Sequence, residues 1–283
     1  MTILKDIKNC FSFLTRFPVS KDIDIYKDLA LKIWLFPIVG LVIGLIVSFV
    51  SLILFKFLPF LLVGFIILGL LLLMTGAHHT DGLIDFGDGL MAMGTSDHKI
   101  KVMHDVAIGA GGFTLGLIIL SSTAITISYS MNFIIIALVI SEVGAKFGMV
   151  AACSIGKSAN TKTATTFINS NKKKHMFISL ILSLALIYFT IIIIALFNSL
   201  YNHISYFKLL FIPINNVSPC NFIQILIYFI IFIVGSFLPL IIVLKLSYKN
   251  FNGLTGDCIG ALNDITRLFI LILIFILETL AIL

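Results

Sequence analysis

Long, unbroken apolar stretches recur along this chain and constrain its fold more than any other feature. Runs such as Ile191-Ile192-Ile193-Ile194 are apolar on every side. They show neither the two-residue alternation of a barrel strand nor the polar stripe of a water-facing helix. A hydrocarbon core about 30 Å thick takes about 20 such residues per helical crossing. Stretches of that kind lie at about 33–55, 57–76, 109–129, 131–153, 176–200, 222–245 and 266–283. The expected fold is therefore all-α: a polytopic transmembrane helical bundle of about seven spans. Composition agrees, because 60% of the 283 residues are hydrophobic and 11% are charged, which excludes a water-soluble domain. The chain reads as a single integral membrane domain over 1–283, without repeats.

Charge placement sets the expected orientation. Lys5, Lys8, Arg16, Lys21, Lys27 and Lys32 precede the first span, and alternate connections add Lys99, Lys101, Lys157, Lys162, Lys172, Lys173, Lys174, Lys245, Lys249 and Arg267. Only Lys56 and Lys208 fall on the opposite side. Basic loops stay in the cytoplasm, so the N-terminus is expected inside and the C-terminus outside, in a multi-pass protein of the cell membrane. The net charge of +6 is absorbed by this topology, and no nucleic-acid partner is expected. Residues 1–30 are expected to be a cytoplasmic or interfacial segment rather than a cleaved signal. Ile3, Leu4, Ile7, Phe11 and Leu14 recur there at the spacing of an amphipathic helix resting on the bilayer. Cys10, Cys153, Cys220 and Cys258 are scattered, without a C-x-x-C pair, and read as small apolar residues.

All acidic residues except Glu142 and Glu278 fall on the expected cytoplasmic side, and polar chemistry is expected there, mainly in 77–108, 154–175 and 246–267. Within the acidic segment 77–108, Asp81, Asp85 and Asp88 stand at i, i+4 and i+7, a spacing that puts them on one helical face. Like charges so crowded call for a cation, and an oxygen-only donor set suits Mg²⁺ or Mn²⁺. His78 and His79 do not form the H-E-x-x-H of a zinc protease, and on a helical projection His78 shares the Asp face. Asp105 could complete a carboxylate site, and the glycine-rich start at Gly109-Ala110-Gly111-Gly112 could present backbone N–H groups to a phosphate. Glycines four apart, at 40/44, 112/116 and 144/148, suit helix packing and permit a homo-oligomer. Glu142 and Lys146, four apart within a span, are expected to neutralise each other. Gly253–Arg267 reads either as a turn and helix cap through Asn263 and Asp264, or as a segment bringing Asp257 to the first acidic cluster.

At these residues the chain resembles the cobalamin synthase family, the adenosylcobinamide-GDP ribazoletransferases. The resemblance runs from Phe13-Leu14-Thr15-Arg16-Phe17-Pro18-Val19, through His79-Thr80-Asp81-Gly82-x-x-Asp85-x-x-Asp88-Gly89 and Met103-x-Asp105-x-x-Ile108-Gly109, to Thr255-Gly256-Asp257-x-x-Gly260-Ala261. It implies a Mg²⁺-dependent membrane enzyme of late vitamin B12 assembly. Such an enzyme joins adenosylcobinamide-GDP to α-ribazole or its 5′-phosphate and releases GMP. It also assigns the family histidine to His79 rather than His78. On this reading Asp81, Asp85 and Asp88, with Asp105, hold the metal against the diphosphate. A cluster carboxylate or His79 accepts the attacking proton. Arg16, Lys99, Lys101 and Arg267, together with Asp105 and Asp257, form the substrate surround on the cytoplasmic side.

Two other readings remain at this stage. Asp85-x-x-Asp88-Gly89-x-x-Ala92 also resembles the CDP-alcohol phosphotransferase signature, with Met93 where that signature has Arg. A divalent-cation transporter would use the aspartates as its binding site, although transport favours polar groups near mid-membrane on several spans.

Overall fold

The computed structural model describes residues 3–17, 29–159, 162–203 and 222–282. Pro18-Val19, Lys21, Lys27, Lys208 and Cys220 lie outside the described residues. In chain order the helices are α1 (Ile3–Leu14), α2 (Phe36–Leu54), α3 (Phe60–Thr75), α4 (His78–Met91), α5 (Ser96–Met103), α6 (Ala110–Ser128), α7 (Ile134–Ile155), α8 (Lys162–Ser170), α9 (Lys173–His203), α10 (Phe222–Phe251) and α11 (Gly256–Ile282). Strand-type pairing among the described residues is confined to an isolated parallel bridge between Ser158 and Leu254.

Among the described residues six apolar segments are helices long enough to cross a membrane: Ile33–Leu54, Ala110–Ser128, Met131–Ile155, Lys173–Phe197, Phe222–Phe251 and Gly256–Leu280. The seventh expected crossing is a bent pair, because α4 leaves α3 at 98°. The break is a Schellman turn. Gly76 and Ala77 both take left-handed φ, 65° and 57°, and their N–H groups donate to Leu73 O at 3.2 Å and Leu72 O at 2.8 Å. A left-handed alanine costs about 1–2 kcal/mol. The turn swings the acidic segment out of line with the apolar helix before it.

Helix α7 is the axis of the bundle. Every residue from Ile136 to Ser154 is buried, as expected of a helix that is largely apolar all round and walled by others. α2, α9, α10 and α11 pack around it. Glycine allows a close approach: a Cβ on Gly40 of α2 would lie 2.5 Å from the Glu142 carbonyl oxygen, so Gly40 serves helix packing.

The final span starts about ten residues before the expected position, at Gly256 rather than 266. Thr255 caps it by accepting the Cys258 N–H at 3.2 Å. Asn263 and Asp264 therefore do not cap a helix; they lie two turns inside one, buried with Thr266 and Arg267. Hydropathy hid those two turns because Asn263 and Asp264 are polar residues whose partners lie inside the bundle. α1 is helical as expected, but its buried face holds Asp6, Asn9, Cys10 and Leu14, while Ile3 and Leu4 are exposed. Asp6 pairs with Lys32 at 3.5 Å, which explains how a carboxylate comes to lie on the packed side. Cys10, Cys153 and Cys258 are buried free thiols, and burial beside Asp6 pushes the Cys10 thiol up to about 12.

Candidate active site

Asp81, Asp85 and Asp88 share the unbroken helix α4, so their spacing places them on one face. The first turns of α11 lie directly across from it. A Cβ on Gly82 would be 3.0 Å from the Asp257 Cα and carbonyl oxygen, and a Cβ on Gly260 would be 3.1 Å from the His79 carbonyl oxygen. Two glycines facing each other's helices let the backbones touch, and that contact carries Asp257 to the acidic face. Half-buried Asp85 consequently sits in the field of three other carboxylates, Asp257 foremost, then Asp81 and Asp88. The second reading of the Gly253–Arg267 segment, with Asp257 beside the first cluster, is the arrangement seen.

Asp88 has a separate role. Buried at the far end of the face, its carboxylate accepts the Gly109 N–H at 2.8 Å and the Gly112 N–H at 2.7 Å. It thereby caps α6 from a neighbouring helix, matching a negative charge to the helix N-terminus. Those are the N–H groups that the sequence suggested for a phosphate; here the protein's own carboxylate takes them. Asp105, expected among the metal ligands, is exposed and accepts the Ala107 N–H at 3.2 Å within its own loop. The structure does not bring it among the carboxylates that act on Asp85. His104, which no role was assigned, is the basic side chain acting on Asp257.

The two histidines differ sharply. His78 is exposed at the α3–α4 turn beside Arg16: a Cβ on Gly76 would be 2.6 Å from Arg16 Cδ and 3.2 Å from His78 Nε2. Arg16 is exposed too, anchored by its own N–H to Met74 O at 2.8 Å. His79 is buried under α11, and its Nε2 has no hydrogen-bond partner among the described residues. The charges acting on it are chiefly Lys146, Arg267 and His78, so it lies behind the acidic face.

Of the remaining cations, Lys101 is exposed and Lys99 donates to Asn250 Oδ1 at 2.7 Å. Arg267 departs from its expected place. It is only 2% exposed, and its guanidinium bonds to Glu142 through Nε, again through Nη2 at 3.4 Å, and to Asp264 Oδ1 through Nη1 at 2.6 Å. It is committed to the interior and does not line the mouth.

The expected Glu142–Lys146 pair exists at 3.8 Å, but as part of a larger network. Lys146 Nζ donates to Asn263 Oδ1 at 2.6 Å, Asn263 Nδ2 donates to Asp264 Oδ1 at 2.9 Å, and the Thr80 hydroxyl donates to Asp264 Oδ2 at 2.8 Å. Two cations and two carboxylates, contributed by α7 and α11, thus neutralise each other, and Thr80 ties them to α4. The i, i+4 spacing of Glu142 and Lys146 was the sole sequence signal of this network.

Among the described residues no three His, Cys, Asp or Glu side chains converge to cage a metal. Mg²⁺ needs no such cage: it is typically held through one or two carboxylates, with water and substrate phosphates completing its shell. Asp81 and Asp85, with Asp257 opposite, are oxygen donors that fit a half-open site of this kind.

A family profile described as Cobalamin-5-phosphate synthase matches residues 6–275. The chain belongs to the cobalamin-5-phosphate synthase family. Relatives named adenosylcobinamide-GDP ribazoletransferase are similar to this family member, two of them along nearly its whole length. The one from Methanocella arvoryzae is 29% identical over 94% of this chain and 93% of its own. That from Methanococcoides burtonii is 26% identical over 96% and 92%. The Saccharolobus solfataricus protein is 42% identical over 119 residues, covering 42% of this chain and 46% of its own. No solved structure matches. The matched stretch of this cobalamin-5-phosphate synthase family member contains Arg16, the α4 face, Asp257 and the buried network.

Proposed function

We propose that this chain is an adenosylcobinamide-GDP ribazoletransferase, joining adenosylcobinamide-GDP to α-ribazole or α-ribazole 5′-phosphate with release of GMP. The observation that carries the reading is the acidic face of α4 met by Asp257 of α11, inside the stretch that matches the family. In the reaction a ribose hydroxyl oxygen forms a bond to the phosphorus on the cobinamide side of the diphosphate. The bridging P–O bond breaks, and GMP leaves with its electrons. Mg²⁺ bound by Asp81 and Asp85 with Asp257 opposite would offset the negative charge of the diphosphate and of departing GMP.

The chain's own groups do the rest. Arg16, exposed at the α3–α4 turn, offers a cation to a phosphate. A carboxylate oxygen of Asp81 or Asp85 not engaged by the metal would take the hydroxyl proton, since His79 lies behind the face. Asp88 holds the loop before α6 against α4. The Lys and Arg asymmetry supports a cell-membrane protein with this mouth toward the cytoplasm. The transporter reading is disfavoured, because the deepest ionised groups are closed on one another.

Purified protein incubated with adenosylcobinamide-GDP, each form of ribazole and Mg²⁺ should release GMP in step with product. Chelation should stop the release and added Mg²⁺ restore it, as followed by mass spectrometry. Absence of GMP with both acceptors would overturn the reading.

A further inference from the structure

The acidic face can work only if α4 is held in register with α11, and glycine contacts alone supply no direction to that hold. One polar contact does. Thr80 lies between His79 and Asp81 in the first turn of α4, is 6% exposed, and donates its hydroxyl to Asp264 Oδ2 at 2.8 Å. The other oxygen of that carboxylate is taken by Arg267 Nη1 at 2.6 Å and Asn263 Nδ2 at 2.9 Å. Arg267 is pinned in turn by Glu142 of α7, and Asn263 by Lys146 of α7 at 2.6 Å. Each oxygen of Asp264 is therefore assigned, and its orientation is set from the axial helix.

We infer that Asp264 is a positioning residue, acting through Thr80 to fix the first turn of α4 and with it the carboxylate of Asp81 opposite Asp257. The buried charges act as a bracket for the reactive face without touching substrate. A paired buried ion cluster contributes little net stability over apolar packing; here its hydrogen bonds fix the orientation of Asp264. Register of a few tenths of an ångström matters to a group-transfer site, since a displacement of about 1 Å can cost on the order of 10²-fold in rate.

This inference rests on the transferase reading of the site, and the test separates the two. Removing Asp264 would strand Arg267 in the interior, so the informative variants are at Thr80. Thr80→Val keeps the shape, leaves the four ionised groups paired and deletes only the donor; Thr80→Ser keeps the donor.

In Thr80→Val, kcat for GMP release should fall about 10- to 100-fold, with KM for adenosylcobinamide-GDP within about twofold, while the unfolding midpoint in detergent drops modestly because Asp264 Oδ2 loses its donor. Thr80→Ser should recover most of the rate. Independently of activity, amide hydrogen exchange over 78–82 should quicken in Thr80→Val and not in Thr80→Ser. Wild-type exchange and rate in Thr80→Val would overturn the inference, as would a Thr80→Ser variant as poor as Thr80→Val. A wild-type protein that releases no GMP would defeat the transferase reading instead, and the exchange comparison would still decide whether Asp264 holds α4.

Discussion

Asp85 and Arg267 show how differently charged residues can behave in one bundle. Asp85 is half-buried among like charges, a repulsion that a cation bound beside it would relieve. Neutralising it should therefore leave the fold intact or firmer while removing function, a pattern common at binding sites. Asp85→Asn should lower GMP release by about 10²-fold or more, comparable to losing a group that stabilises developing charge. Its unfolding midpoint should stay at or above that of wild type; activity within threefold of wild type would refute the assignment. Arg267 is the opposite case, a buried cation whose partners are both carboxylates of the interior. The shared face of Asp81, Asp85 and Asp88 was legible because helical spacing is a local property. The burial of Arg267 was not, because it depends on where α11 begins and what packs against it.

Between elements, glycine decides which helices can meet. A Cβ on Gly87 of α4 would lie 2.8 Å from Gly111 O and 2.9 Å from Gly112 Cα of α6, so any larger residue must push the two backbones apart. The Asp88 bonds to Gly109 and Gly112 would stretch with them. Gly87→Val should cost about 1–3 kcal/mol, as overpacking does, read as a lower unfolding midpoint in detergent. Gly69→Ala, where an added Cβ meets nothing within 4 Å, should leave it unchanged or raise it, since alanine suits a helix interior better than glycine. The spacing of Gly112 and Gly116 announced a packing face. Its partner, Ile84 of α4, could not be read from one segment. The early start of α11 was hidden for a related reason: Asn263, Asp264 and Arg267 look like a loop until their partners on α4 and α7 are known.

At the scale of the whole molecule, the distribution of Lys and Arg predicts an odd number of crossings with the N-terminus inside. Epitope tags in intact cells test this: a C-terminal tag should be reached by antibody from outside, an N-terminal tag only after permeabilisation. The reverse pattern would move the acidic mouth to the other side of the membrane. By itself the amino-acid sequence determined that the chain is a helical membrane bundle and which segment concentrates its negative charge. Hydropathy and helical period act over one or two turns and need no partner. Only the tertiary structure decided that α4 bends away from α3, that Asp257 joins the acidic face, and that Arg267 and Asp264 face inward. Those outcomes depend on backbone contacts and charge pairing between helices far apart in the chain, where each group's environment is made by the others.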